Sequence, residues 1–148
     1  MSKRELAGAA GVEVPQRWRF YDFVSHRGVN EICEWSTAQG PNLKARLNAL
    51  VRNLETLDRA FARADNVGAL RKKGPCHGEG FIELVITLGK VQYRPIGWYG
   101  PETREVTLLV GATEKGDGFV PRKACVTAVN RKHLVMSSRS YIVEHDFS

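Results

Sequence analysis

Phe81-Ile82-Glu83-Leu84-Val85-Ile86-Thr87-Leu88-Gly89-Lys90-Val91-Gln92-Tyr93-Arg94-Pro95-Ile96-Gly97-Trp98-Tyr99 is the stretch that decides the fold class. Its first part alternates. Ile82, Leu84, Ile86 and Leu88 fall on one side of an extended chain, because successive strand side chains point to opposite faces. Gly89-Lys90 is a tight turn, and residues 91–99 form the returning strand. Gly100-Pro101-Glu102 turns the chain again, into residues 105–113, rich in Val, Leu and Thr. Connections this short join antiparallel neighbours, so the three stretches predict an antiparallel β-meander that closes at Gly116-Asp117-Gly118.

Upstream, Trp18, Phe20 and Asp22 alternate with Arg19, Tyr21 and Phe23, which predicts an aromatic strand ending in a His26-Arg27-Gly28 turn. Asn30 suits the N-cap of a short helix over 31–39, with Ile32 and Trp35 inward and Glu31 and Glu34 near the positive end of its dipole. Gly40-Pro41 breaks that helix and opens the next. Leu43, Leu47, Leu50, Val51, Leu54, Leu57 and Phe61 recur at spacings of three and four. They predict an amphipathic helix over 41–64, with Arg46, Arg52 and Arg59 on its other face. The short connection implies a two-helix hairpin.

Residues 65–80 are expected to be a loop, and Pro121 to open a last helix to about residue 135, with Cys125, Ala128 and Val129 inward. The expected architecture is α+β: a meander packed against an N-terminal two-helix hairpin, plus a C-terminal helix, with the helices covering one sheet face. Residues 1–14 are expected to be a loose tail, 15–137 a single domain, and 138–148 a C-terminal extension, either a short strand or loose.

The chain has 148 residues, 43% of them hydrophobic and 26% charged. That composition excludes collagen and wholesale disorder, and no apolar run is long enough for a spanning helix, so no membrane partner is expected. The opening Met-Ser-Lys-Arg-Glu does not resemble a secretory signal. Three cysteines, an odd and widely spaced set, predict a reduced, cytoplasmic protein.

The net charge is +6, and residues 36–73 carry most of it, with eight basic side chains against three acidic ones. A localised basic field attracts polyanions, which gain affinity by releasing counterions. No cofactor or metal is expected. Cys76-His77 is an isolated ligand pair, and the spacing Gly111-x₄-Gly116 lacks the Lys-Ser/Thr of a phosphate-binding loop.

Arg94 is the most informative cation, because it lies within a strand stretch. Lys115 ends the next strand, and Arg71, Lys72 and Lys73 precede the strand before. In a meander these could converge on one concave face, near the rings of Tyr93, Trp98, Tyr99 and Phe119. Cations beside stacking rings suit single-stranded RNA. The structural alternative for Arg94 is an ion pair with Glu83 across the adjacent strand.

The order of these pieces resembles the RelE/ParE toxin superfamily, most closely its phage-derived HigB-like branch. Trp18-Arg19-Phe20-Tyr21 is similar to the family's opening strand, and residues 43–57 to its long helix, with Gly68-Ala69-Leu70 in the loop that follows. Phe81-Ile82-Glu83-Leu84, Tyr93-Arg94-Pro95-Ile96 and Val106-Thr107-Leu108-Leu109-Val110-Gly111 are similar to its three meander strands, and residues 121–131 to its final helix.

The resemblance implies the toxin of a type II toxin–antitoxin pair, a metal-independent endoribonuclease that cuts mRNA on the ribosome. It also implies a cognate antitoxin, a small helix-turn-helix protein. On that reading Arg94 and Lys115 are catalytic, while Arg71, Lys72, Lys73, Tyr93 and Phe119 bind RNA. Val85 stands where the family has an arginine, and Glu114 where it has the first of two lysines. A fold relative without nuclease activity, either a gyrase inhibitor or a phage accessory binding protein, is the alternative.

Overall fold

The computed structural model describes residues 17–57, 66–70, 76 and 80–148. The expected tail, Arg59, Phe61 and the basic run Arg71, Lys72 and Lys73 lie outside them.

The first strand, β1 (Arg19–Phe23), leads through the expected turn into α1 (Glu31–Ala38) and α2 (Pro41–Thr56). Asn30 caps α1, its Oδ1 accepting from the amides of Ile32 at 3.1 Å and Cys33 at 2.9 Å. Pro41 occupies the first turn of α2. On α2, Leu43, Leu47, Val51 and Leu54 are fully buried. Each contributes roughly 1.5–3 kcal/mol by leaving water, which is what pins the helix to the sheet. The described helix ends at Thr56, with Leu57 already extended, short of the expected residue 64. The short β2 (Val67–Ala69) lies within the expected 65–80 loop.

The meander is present, but each of its three stretches is split in two. Residues 81–88 divide into β3 (Phe81–Leu84) and β4 (Ile86–Leu88). Residues 91–99 divide into β5 (Val91–Tyr93) and β6 (Ile96–Tyr99). The third stretch divides into β7 (Glu105–Val110) and β8 (Thr113–Lys115), followed by β9 (Gly118–Val120). The halves belong to two sheets. One has the order β10-β1-β7-β6-β3-β2, where β10 is Ile142–Glu144, and the other β4-β5-β8-β9. All meander pairs are antiparallel, whereas β1 runs parallel to β7, with Phe20 opposite Val106. The larger sheet is therefore mixed.

The bends at Val85, Arg94-Pro95 and Gly111-Ala112 share one crossing line. There Arg94 N donates to Ala112 O at 2.7 Å and Leu84 N to Pro95 O at 3.0 Å.

Helices cover both sheet faces, not one as expected. Ile82, Leu84, Val106 and Leu108 pack with α1 and α2. Phe81, Ile96, Trp98 and Leu109 pack with α3 (Ala124–Ser137), whose Ala124, Ala128 and Val135 are buried. The cause is visible in β7, all of whose residues are buried. A strand that is apolar on both faces needs cover on both.

The expected reduced cysteines are also corrected: Cys76 and Cys125 form a disulfide. Both belong to the layer under α3, where packing brings together residues that are far apart in sequence. No helix among the described residues is long and apolar enough to cross a membrane.

Candidate functional site

Arg94 stands at the crossing line, just after β5, with its backbone held by Ala112. Its guanidinium is surrounded by acceptors. Nη1 donates to Glu83 Oε1 at 2.8 Å, Nε pairs with Glu114 Oε2 at 3.0 Å, and Nε also donates to Gln92 Oε1 at 3.2 Å. Nη2 donates to the same Gln92 oxygen. The Arg94 side chain is 25% exposed, Glu83 12% and Glu114 36%.

The register explains this ring. Tyr93 lies opposite Thr113, so Gln92 and Glu114 point to one face of the smaller sheet and Tyr93 and Lys115 to the other. The Arg94 side chain sits on the first face. Phe119 does too, because it is the direct cross-strand partner of Glu114. Arg94 therefore shares its face with one expected companion, Phe119, from which Glu114 separates it.

Lys115 is exposed on the helix-side face, and the expected convergence of Arg94 with Lys115 does not occur. Tyr93 is a packing residue, its ring meeting the edge of Trp35 at 6.3 Å. Trp98 lies on the same side of the sheet as Glu83 but is buried under α3, and Tyr99 packs against Trp18 on the other side, so neither ring is open beside Arg94. Arg71, Lys72 and Lys73 lie outside the described residues. Glu83, with nothing in the sequence to distinguish it from a surface charge, is a principal partner of Arg94.

A second polar cluster had no signal in the sequence. Of the two alternatives expected for residues 138–148, the short strand is the one present: a 3₁₀ turn (Arg139–Tyr141) leads into β10, which pairs with β1. His145 follows, buried, with Nδ1 2.8 Å from Asp22 Oδ1 and Nε2 2.9 Å from Asn48 Oδ1. Asp22 Oδ2 also accepts from Asn30 Nδ2 at 2.9 Å and from the amide of Asp146 at 3.1 Å. Arg52 lies over the Phe147 ring at 4.4 Å.

Two clefts, of about 270 and 630 Å³, flank this segment and do not touch Arg94. Two of the polar residues that line the smaller one are already engaged. Glu55 accepts from the amide of Phe20, and His145 bonds to Asp22 and Asn48. Cys33 is the free thiol of the chain. Burial pushes its pKa up, and its Sγ lies 3.5 Å from Asp146 Oδ2, so nothing activates it as a nucleophile. No group of metal-ligating residues occurs among the described residues.

Comparison with protein-family models, curated proteins and solved structures finds no match to this chain. The chemistry of the site therefore rests on its own residues. It comprises one guanidinium anchored at the end of β5, a ring of side-chain acceptors around it, and a single aromatic ring, Phe119, across from Glu114.

Proposed function

We propose that the chain is the toxin of a type II toxin–antitoxin pair on the RelE/ParE plan, closest to the HigB-like branch. It acts on mRNA at the ribosome as a metal-independent endoribonuclease and is held silent by a helix-turn-helix antitoxin. One observation carries this reading: a strand, two helices, a bent meander and a helix follow in the order the resemblance requires, with Tyr93-Arg94 at the bend. Backbone bonds on both sides of Arg94 fix where its side chain starts. A guanidinium placed in advance can meet phosphate oxygens without first losing loop entropy. The +6 net charge supports a polyanionic target.

A second reading is favoured by a specific observation. Glu83, Glu114 and Gln92 already occupy Arg94, and Lys115 lies on the opposite face. On that reading the protein keeps the fold and binds a partner without cutting RNA.

Induction of the protein in a bacterial host, followed by primer extension on cellular mRNA, separates the two. Translation-dependent cuts that disappear in Arg94→Ala support the nuclease. Losing one preorganised donor of this kind costs about a hundredfold or more in rate. Growth arrest with intact mRNA supports the binding protein. Unimpaired growth with intact mRNA removes the toxin reading.

A further inference from the structure

We propose that Glu114 is an acidic stopper on Arg94, and that the face it covers takes a phosphate of single-stranded RNA with a neighbouring base against Phe119. The inference rests on the reading that RNA is the target.

The partners of Arg94 are not equivalent. Glu83 is 12% exposed and lies within the larger sheet, paired with Gly68 on one side and Ile96 on the other. It is built into the fold. Glu114 is 36% exposed, on a three-residue strand that ends in the Gly116-Asp117 turn. Its side chain can swing into water at small cost, since a half-exposed ion pair is weak.

Glu114 also holds the useful edge of the guanidinium. It meets Nε, which shares with Nη2 the two-pronged donor edge that Gln92 Oε1 also bridges, and of these two acceptors Glu114 alone is charged. That edge fits the two oxygens of a carboxylate or a phosphate equally well. A phosphate can therefore take that edge by displacing Glu114 and the neutral Gln92 amide, while Glu83 stays on Nη1 and keeps the cation oriented. With Glu114 in place, the incoming phosphate meets a carboxylate at contact distance, and like charges in a contact disfavour binding.

The aromatic partner is supplied by the register. Phe119 faces Glu114 directly across the β8–β9 pair and is half-buried at the edge of the core under α3, so it borders the position that Glu114 would vacate. Stacking a base on such a ring favours binding and is tolerant of sequence, because every base has a flat face. A cation for the backbone and a ring for the base therefore meet at one place, closed by a residue that can leave.

The test is binding of a short fluorescent single-stranded RNA to the full chain, by anisotropy at fixed salt, with thermal melting to verify the fold of each variant. Glu114→Gln keeps the shape of the side chain and removes its charge. It should bind about tenfold more tightly than the parent. Asp117→Asn makes the same change of net charge in the adjoining turn and should gain less than about twofold, as an exposed charge does. Arg94→Ala combined with Glu114→Gln should lose the gain.

The proposal is overturned if Glu114→Gln gains no more than Asp117→Asn. It is equally overturned if the gain survives without Arg94, or if no variant binds RNA. Tighter binding by Glu114→Gln with no mRNA cutting in cells keeps the stopper and removes the nuclease. Cutting without any effect of Glu114→Gln on binding does the reverse.

Discussion

Asp22 and His145 are 123 positions apart in sequence and meet in the interior with Nδ1 2.8 Å from Oδ1. Asn48 Nδ2 donates to Phe147 O, and its Oδ1 accepts from Lys44 Nζ and faces His145 Nε2. Asp22 Oδ2 also accepts from Asn30 and the Asp146 amide. Together these bonds fasten the C-terminal segment to β1 and α2.

The expected consequence is strong coupling between the two residues. His145→Ala leaves Asp22 Oδ1 buried without its ring partner, and Asp22→Ala leaves three buried or half-buried polar groups without theirs. Each should destabilise by about 3 kcal/mol or more, the range for breaking one side of a buried pair. The double variant should cost less than the sum by about 1–3 kcal/mol. Urea unfolding of the four proteins measures this, and additive losses would mean that the two residues act separately.

Cys76 and Cys125 give the second expectation. With one pair bonded and Cys33 free, the unreduced, denatured chain should titrate one thiol. Three thiols would return the cysteines to the reduced state that their odd number suggests. The bond closes a loop with a sequence separation of 49, for which chain entropy alone predicts about 4 kcal/mol. Cys76→Ser with Cys125→Ser, compared with the oxidised parent, should show a loss of that order or smaller.

Glu105 supplies a pH dependence. Burial raises its pKa, but bonds from Arg139 at 3.1 and 3.2 Å and from the Glu102 amide at 3.1 Å outweigh that effect and hold it below its ordinary value of 4.5. The folded protein therefore binds this proton more weakly than the unfolded chain does. Stability from the group is present above about pH 4.5 and is lost as pH falls through the lower folded value. Glu105→Gln should lower stability at pH 7 and flatten its decline between pH 5 and 3. An unchanged acid limb would count against the assignment. The Arg139 side chain is 51% exposed, so the effect should also shrink in high salt.

Much of this architecture is legible in the residue pattern, and the illegible parts have common causes. The spacing of Leu43, Leu47, Val51 and Leu54 reports a helix because one face of it is buried. Asn30 reports a cap because its Oδ1 accepts two amides. The inward face of residues 82–88 is legible too, since Ile82, Leu84 and Ile86 lie in one cluster across a bend.

The bends are illegible because alternation continues through them. What makes each one is a tertiary bond, such as Arg94 N to Ala112 O. Cover on both faces had a signal that alternation hid: the unbroken run Val106-Thr107-Leu108-Leu109-Val110 is the mark of a strand with no solvent face. At the Arg94 site, the pairing with Glu83 could be foreseen from adjacent strands. The opposite facing of Arg94 and Lys115 could not, because it depends on the register that sets Tyr93 against Thr113. Nothing local marks His145, whose partners come from β1 and α2.

The last expectation concerns Gly111 and Trp35, which fix the third bend. Gly111 lies between β7 and β8, and the Trp35 ring from α1 is pressed against its backbone. A Cβ built there would lie 1.9 Å from Trp35 Cδ2 and 2.0 Å from its Cγ, too close for a rotamer change to relieve. These are the inner atoms of the ring, and the edge of the same ring meets Tyr93 at 6.3 Å, so the indole cannot retreat without disturbing the sheet that carries Arg94. Gly111→Ala should therefore cost about 1–3 kcal/mol or more, the range for overpacking a core. Trp35→Leu removes the clash at the price of a cavity. Combined with Gly111→Ala, it should be no less stable than Trp35→Leu alone by more than a few tenths of a kcal/mol, roughly the limit for independent sites. The contrast separates a steric cause from a backbone one. If Gly111→Ala is equally costly with Leu at position 35, the glycine is needed for its backbone conformation and the ring is incidental. If it is costly only with Trp35 present, the helix-to-sheet contact sets the bend, and the line along which Arg94 is placed is held from α1.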